Sequence, residues 1–598
     1  MSYRIPRSDI HFLLEHIIDT PALLALPGHE ELSLDLLQAV LDEGARFIEQ
    51  EVVPLNPVSD REPAVLNQGQ VTTTPGFKET FAAFAQAGWQ GLQHEEAIGG
   101  QGLPKLIGAI FGENMNAGCA SFALCSLLTD SVIETLSQAG TPEQKACYLP
   151  PMLEGRWTGT MNLTEAQAGS DLSLVKCMAT PQADGSYRLQ GEKIFISYGE
   201  HDLAENILHL VLARTPNAPE GIRGLSLFLV PKYLAHAQGD YAQGSRNDVY
   251  CASLEHKLGL HGSPTAVMLY GDNKGEVGAG AIGYLIGELN RGLEYMFITM
   301  NAARYAVALQ GLAIADRAWY SAQAYAAERK QGADLNKKYP APAPIYHHPD
   351  VERMLQTMRA LTEATRAFTY YAAWLKDMAL KTPDASLRQH YQTRYEFFVP
   401  ITKGFATEMV KEVTSLGIQV HGGMGFIEET GVAQYMRDAR VFSIYEGTTA
   451  IQANDLIGRK LVRDTGETAL ALLAEVQSTV EQLRTHAEDE ALQYIAERLD
   501  QACSAYAKAV QYINQWHQDK QARAVYFGSV PFLMLAGTVL GGWKMAKSAL
   551  ACTGQEDEFS TQKRSTAVCY ATYVLPRAQA HVQAIAGSKV MDTYSLYS

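Results

Sequence analysis

At Trp157 the apolar residues stop recurring at helical spacing and begin to alternate, and near Asn290 the helical spacing returns. These two switches confine the chain to a mainly helical α+β architecture with one β segment, residues 156–288, inside a helical sequence. Before the first switch, Leu36, Leu37, Val40, Leu41, Ala45, Phe47, Ile48 and Val52 mark a helix from Leu34 to Val53. Ser33 is its candidate N-cap, and Pro54 and Pro57 stop it. Helices are also expected at Leu106–Ala117 and Ser121–Ala139. Residues 1–155 thus read as an N-terminal helical domain that includes an N-terminal arm.

In the β segment, Tyr187–Gln190, Leu208–Ala213, Leu225–Val230 and Val267–Tyr270 are short strands between turn residues, the pattern of a small barrel or sandwich. Residues 289–463 predict four helices: Tyr295–Lys330, Val351–Met378, Ser386–Leu416 with a kink at Pro400, and Ala450–Val462. That set suits an antiparallel bundle. Residues 464–598 predict an additional C-terminal helical domain, with Pro531 and Pro576 expected to kink or split its last two helices. Its apolar run, Phe527–Trp543, is shorter than the about 20 residues of a membrane-spanning helix, and Lys544 and Lys547 cut it off. A buried helix with a close-packing Gly537/Gly541 face is expected instead.

A chain of 598 residues exceeds one hydrophobic core, so several domains are required. The net charge of −16 opposes a nucleic-acid partner, which needs a basic face. The eight cysteines form no CxxC pair and read as buried reduced thiols. His256 and His261 have no Cys or carboxylate set at metal-site spacing, so no metal is expected. Met1 to His16 lacks a signal-peptide core, which makes a bacterial cytoplasmic enzyme the expectation.

The chemistry concentrates in a few stretches. In Val441–Gln452 a single carboxylate, Glu446, stands between an apolar run and a Gly-Thr-Thr turn. Thr448 or Thr449 can cap the helix that follows, whose first N–H groups have no partner in the helix. Apolar neighbours raise a carboxylate pKa and make it a usable base near neutrality. A solvated Glu is the ordinary alternative. Met161–Asp171 offers two hydroxyls, Thr164 and Ser170, on a chain that Gly169 lets approach a ligand. Gly191–Ser197 is a strand ending in a hydroxyl. Arg304, in Asn301-Ala302-Ala303-Arg304, is either solvated or paired. Gln419–Phe426 is Gly-rich, but it is not a dinucleotide-binding GxGxxG.

Taken in order, these stretches resemble the acyl-CoA dehydrogenases. Met161–Asp171 resembles that family's Thr-Glu-Pro-x-Ala-Gly-Ser-Asp, with Ala166 in place of Pro. Gly191–Ser197 resembles Gly-x-Lys-x-Trp-Ile-Thr/Ser, with Phe195 in place of Trp. Gln419–Phe426 resembles Gln-x-x-Gly-Gly-x-Gly-Phe, and Tyr445–Gln452 resembles the catalytic segment. The resemblance runs from about Phe77 to Arg463. It implies a helical domain, a β-barrel-like domain and a four-helix bundle, here with an additional C-terminal helical domain. FAD is the implied cofactor. Met161, Leu163, Thr164, Gly169, Ser170, Phe195, Ile196 and Ser197 would contact it from the β segment. Arg329 and Gln331, at the end of a long helix, and Gln419, Gly422 and Gly423 would reach the FAD of a neighbouring subunit. Thr448 and Ala450 would also touch FAD, although relatives often carry Gln at the latter position. Ser170, Asn301, Arg304, Tyr445 and Gly447 would meet the acyl-CoA.

Glu446 is the implied base, because Ala303 stands where some relatives carry theirs. The implied reaction removes the α-proton and the β-hydride of a saturated acyl-CoA, expected to be a fatty acyl-CoA of medium to long chain, to give the trans-2-enoyl-CoA. Electrons then pass to an electron-transfer flavoprotein. A 3-methylmercaptopropionyl-CoA dehydrogenase and an acyl-CoA oxidase are the alternatives within this chemistry. A flavin-bound DNA-binding relative is disfavoured by the absence of a basic stripe in 466–598. A homodimer is implied, and the apolar Phe527 stretch allows a peripheral contact with the inner membrane.

Overall fold

The computed structural model describes residues 2–234 and 244–594. Its helices are α1 (Arg7–Phe12), α2 (Thr20–Leu24), α3 (Leu34–Phe47), α4 (Leu55–Arg61), α5 (Phe77–Gln86), α6 (Lys105–Ala139) and α7 (Pro142–Leu153). After the β segment come α8 (Gly292–Glu328), α9 (Pro349–Lys381), α10 (Ala385–His421), α11 (Val432–Ala439) and α12 (Thr449–Asp455). The chain continues with α13 (Glu467–Arg484), α14 (Glu490–Gln518), α15 (Ala522–Phe527), α16 (Ser529–Ala551), α17 (Glu558–Tyr573) and α18 (Arg577–Thr593). The strands are β1 (Val65–Asn67), β2 (Gln70–Thr72), β3 (Trp157–Asn162), β4 (Met178–Pro181) and β5 (Tyr187–Ser197). They continue with β6 (Asn206–Arg214), β7 (Leu225–Pro231), β8 (Val249–Leu254), β9 (Thr265–Tyr270) and β10 (Ala281–Ile286).

The chain divides into two compact units, one of which contains Arg46–Gly108 and Asn114–Ala306. There β10 pairs with both β7 and β5, so β5–β4–β6–β7–β10 closes into a ring. β9 and β8 extend from β5, and β3 runs parallel to β6. The expected barrel is present. β6 and β7 are buried almost throughout, which is why they read as near-continuous apolar runs rather than as alternation. α6 is broken at Cys119 (φ −160°, ψ 103°), between its two expected halves. The β1–β2 hairpin was not anticipated. It turns on Gln68 and Gly69, both at positive φ, as a tight two-residue hairpin requires.

The other unit contains the chain up to Ala45, Ala109–Glu113, and the chain from Val307 on. α3 starts as expected, with Leu36 N donating to Ser33 Oγ at 3.2 Å. α10 runs through Pro400 without interruption and continues to His421 rather than stopping at Leu416. α16 is buried against its neighbours. A Cβ on Gly537 would lie 2.2 Å from the Phe405 ring, and one on Gly541 would lie 2.2 Å from Tyr570 Oη. Those two glycines are what let α10 and α17 approach it. Pro531 sits in the first turn of α16, where proline is tolerated, and Pro576 separates α17 from α18. Among the described residues one helix, α6, is long and apolar enough to cross a membrane, and 83% of that stretch is buried inside the protein.

The N-terminal arm, for which the sequence indicates no role, is fastened by charge. Arg366 on α9 donates to Asp9 (2.6 Å), Glu113 (2.9 Å) and Asp316 (2.6 Å). Lys563 on α17 pairs with Asp9 and with Glu363. Tyr3 Oη donates to Asp316 at 2.5 Å. One arm carboxylate thereby joins the bundle helix α9 to α17 of the C-terminal region.

Candidate active site

The Leu163–Ser170 stretch follows β3, and its shape depends on one buried ion pair. Lys193 Nζ on β5 donates to Glu165 Oε1 at 2.8 Å and to the Leu163 carbonyl at 3.0 Å. Glu165 also accepts the backbone N–H groups of Lys176 (2.7 Å) and Cys177 (3.0 Å). Burial by itself would raise the pKa of Glu165. The Lys193 charge and these hydrogen bonds outweigh it and hold the pKa below the ordinary value. The loop is thus pinned from behind by Glu165, while Thr164 and Ser170 on the same loop stay half-buried and exposed respectively.

Ile194 N donates to the Thr164 carbonyl at 2.9 Å, which sets Thr164 beside the end of β5. A bulge between Lys193 and Ile196 interrupts the pairing with β9, and Phe195 at its centre has φ +61°. The bulge turns the Phe195 ring outward, 59% exposed. Ser197 follows it, half-buried. Leu163 is half-buried and Gly169 exposed, and a Cβ on Gly169 would meet nothing within 4 Å. Met161 and Ile196 differ from the rest: they are buried, 7% and 2% exposed, so the contacts expected of their side chains are not open. In the same unit Arg304 is buried and donates to Asn301 Oδ1 at 3.4 Å, with Phe297 under its guanidinium. Asn301 itself is exposed.

In the helical unit Glu446 is half-buried on a bend with φ +53°, followed by Gly447 at φ +90°. A glutamate in the left-handed region costs on the order of 1–3 kcal/mol and persists only when its surroundings impose it. Here they do. Lys403 Nζ, fully buried on α10, donates to the carbonyls of Phe442 (2.8 Å) and Gly447 (2.7 Å). Gln452 Nε2 on α12 donates to the carbonyls of Glu446 (3.2 Å) and Gly447 (3.3 Å). Thr448 is the N-cap of α12, accepting from Ile451 N at 3.3 Å, and Thr449 Oγ1 donates to Glu408 at 2.6 Å. Tyr445 Oη donates to Gln310 Oε1. Burial, with the adjacent Glu446 charge, pushes the Tyr445 phenol pKa up and keeps it protonated. Ala450 is exposed.

Arg329 and Gln331 are exposed just past the end of α8, and Gln419, Gly422 and Gly423 are exposed at the end of α10. Tyr325, one turn before Arg329, stacks on His421 with ring centroids 4.4 Å apart, so the two helix ends lie together. Gly422 and Gly423 have nothing within 4 Å of an added Cβ, and Phe426 beyond them is 88% exposed. His261 bonds to the Asp60 carbonyl and the Lys257 carbonyl, both at 3.0 Å, and its Nδ1 also lies 3.0 Å from Asp60 Oδ1.

Sequence reasoning missed Lys403 and Gln452 behind Glu446, and it missed the pairing of Glu165 with Lys193. A signal existed for Lys403: it is a lone charge in the apolar run Val399-Pro400-Ile401-Thr402-Lys403-Gly404-Phe405.

Residues 36–156, 160–272 and 290–461 match the N-terminal, middle and C-terminal domains of acyl-CoA dehydrogenase, and residues 472–593 match an acetyl-CoA dehydrogenase C-terminal-like domain. The chain is 49% identical to a 3-methylmercaptopropionyl-CoA dehydrogenase of Ruegeria pomeroyi, over 99% of this chain and 98% of the relative. It is 34% identical to a broad-specificity linear acyl-CoA dehydrogenase of Mycobacterium tuberculosis, over 96% of both. A Bacillus anthracis acyl-CoA dehydrogenase solved with FAD shares the fold, with a TM-score of 0.73 at 23% identity, over 96% of this chain and 91% of that one. The chain belongs to the acyl-CoA dehydrogenase family, whose members are FAD-dependent oxidoreductases acting on CH–CH bonds. The residues present fit that cofactor. An exposed aromatic ring beside Thr164 and Ser197 suits a flat, hydrogen-bonding ring system, and the open glycines suit a close-lying phosphate or adenylate.

Proposed function

We propose that this chain dehydrogenates an acyl-CoA across its α and β carbons, with Glu446 as the base. The observation that carries the reading is a single carboxylate held on an imposed left-handed turn, in a chain with Ala303 at the alternative base position. The family resemblance assigns FAD contacts to Thr164, Ser170, Phe195 and Ser197 in the barrel unit and to Thr448 and Ala450 in the helical unit. Bound FAD supplies the acceptor for the β-hydride, and the thioester becomes the trans-2-enoyl-CoA. Glu446 takes the α-proton onto its carboxylate, and its rigid turn supplies proximity. Tyr445, kept protonated and bonded to Gln310, adds no second base. Arg304 and Asn301 would position the CoA portion. The exposure of Arg329, Gln331, Gln419, Gly422 and Gly423 supports their serving a neighbouring copy in a homodimer. An electron-transfer flavoprotein would accept the electrons.

The 49% relative makes 3-methylmercaptopropionyl-CoA the first substrate to test. The 34% relative favours straight-chain fatty acyl-CoAs as the second reading. Anaerobic titration of the purified flavoprotein with both, following loss of flavin absorbance, decides between them. Bleaching by neither would reject the function. Glu446→Gln should retain FAD and bleach about a thousandfold more slowly, the scale of losing a positioned base. Slow reoxidation of the bleached enzyme in air is expected and would exclude an oxidase.

A further inference from the structure

We infer that Lys403 and Gln452 are positioning residues for the base, acting on the peptide groups around Glu446 rather than on substrate. The inference rests on the reading of Glu446 as that base. Both side chains are fully buried, and they come from two different helices, α10 and α12. An ammonium taken wholly out of water is sustained only by strong acceptors. Lys403 has two in the carbonyls of Phe442 and Gly447, which bracket the catalytic carboxylate in sequence. Gln452 reaches the carbonyls of Glu446 and Gly447, so the Gly447 oxygen receives one donor from each side chain. The contact is also steric: a Cβ on Gly447 would lie 2.7 Å from Gln452 Nε2. Together the two side chains fix the Phe442–Gly447 turn at both ends while Glu446 sits at φ +53°. Backbone bonds from Ile444 N and Tyr445 N to the Val441 carbonyl (2.8 and 3.1 Å) and from Thr449 N to the Ser443 carbonyl (3.2 Å) shape the turn as well, and the two side chains add to them. Without the clamp the turn relaxes toward negative φ and the carboxylate swings away from the position it holds.

The test is anaerobic stopped-flow reduction of FAD-loaded Lys403→Met and Gln452→Leu, with wild type and Glu446→Gln alongside. Lys403→Met should lower the rate constant at saturating acyl-CoA about a hundredfold, the scale of a small misplacement of a reacting group, with the acyl-CoA Kd changed less than about threefold. Gln452→Leu should lower it about tenfold by the same selective loss. In both variants the isotope effect with α-deuterated substrate should exceed that of wild type, because proton removal becomes more fully rate-limiting. A purely structural role would instead reduce FAD content or thermal stability and leave the isotope effect unchanged, and that result overturns the inference. If Lys403→Met does not accumulate as folded flavoprotein, a wild-type rate constant in Gln452→Leu overturns it equally. Normal bleaching by Glu446→Gln would reject the base itself. Slow bleaching by Glu446→Gln with wild-type rates in the other two would reject only the clamp.

Discussion

At the scale of single residues, Glu165 and Lys193 show how a site loop is held by a pair of groups buried behind it. Their side chains are 6% and 0% exposed. Removing one partner of a buried pair leaves an uncompensated charge, so Lys193→Met should cost about 3–5 kcal/mol. Urea denaturation would measure this. The pH dependence has a definite sign. The folded pKa of Glu165 is depressed, so its contribution is fully present above the ordinary value of 4.5 and is lost as pH falls through the folded pKa. The stability gap between wild type and Lys193→Met should therefore narrow in acid. FAD content should drop in the variant at neutral pH, because Thr164 and Ser170 lie on the loop the pair anchors. Both residues stand in motifs legible in the sequence. Their pairing is not, because it joins a loop after β3 to a position on β5, 28 residues on, that only the folded sheet brings beside it.

At the scale of elements, the end of α10 separates packing from function. The 3-10 turn after His421 folds back so closely that a Cβ on Gly425 would lie 2.3 Å from the Ile418 carbonyl oxygen. Gly425→Ala must open that turn and should destabilise by about 1–3 kcal/mol. Gly423→Ala meets nothing within 4 Å, and its stability should stay within about 0.5 kcal/mol of wild type. If Gly423→Ala nevertheless loses FAD, measured by flavin absorbance after desalting, the loss is a direct effect at the cofactor. The helix was legible from its spacing, but its last turn was not. The His421 ring bonds the Gly417 carbonyl at 2.7 Å and stacks on Tyr325 from α8, and a partner on another helix leaves no periodic trace in local sequence.

At the scale of the whole chain, the arm and the C-terminal helices share one buried ionic cluster. Burial opposes the charge on Asp9, and Lys563 and Arg366 more than offset it, holding its pKa at about 2. That contribution is complete above the unfolded value of 3.8 and disappears as pH falls through about 2. Asp9→Asn should cost about 3 kcal/mol at neutral pH by leaving Lys563 and Arg366 short of an anion. In scanning calorimetry its Tm deficit should shrink steadily below pH 3.8. A deficit independent of pH would mean that the arm is held by its apolar contacts alone.

From the sequence alone come the helix–β–helix order of the chain, its long helices, the broken α6 and the buried α16, but neither the β1–β2 hairpin nor the choice of barrel over sandwich. It also singled out Glu446. These are legible because periodicity, caps and ligand-facing motifs are local properties of neighbouring residues. Tertiary structure decided how the site is held: the left-handed Glu446 turn over Lys403 and Gln452, the Glu165–Lys193 pin, the closure of β10 on β5, and the arm's Asp9 between Arg366 and Lys563. Each depends on groups distant in the chain meeting out of water, where a buried charge or carbonyl must find a partner. Which partner it finds is a property of the packed fold.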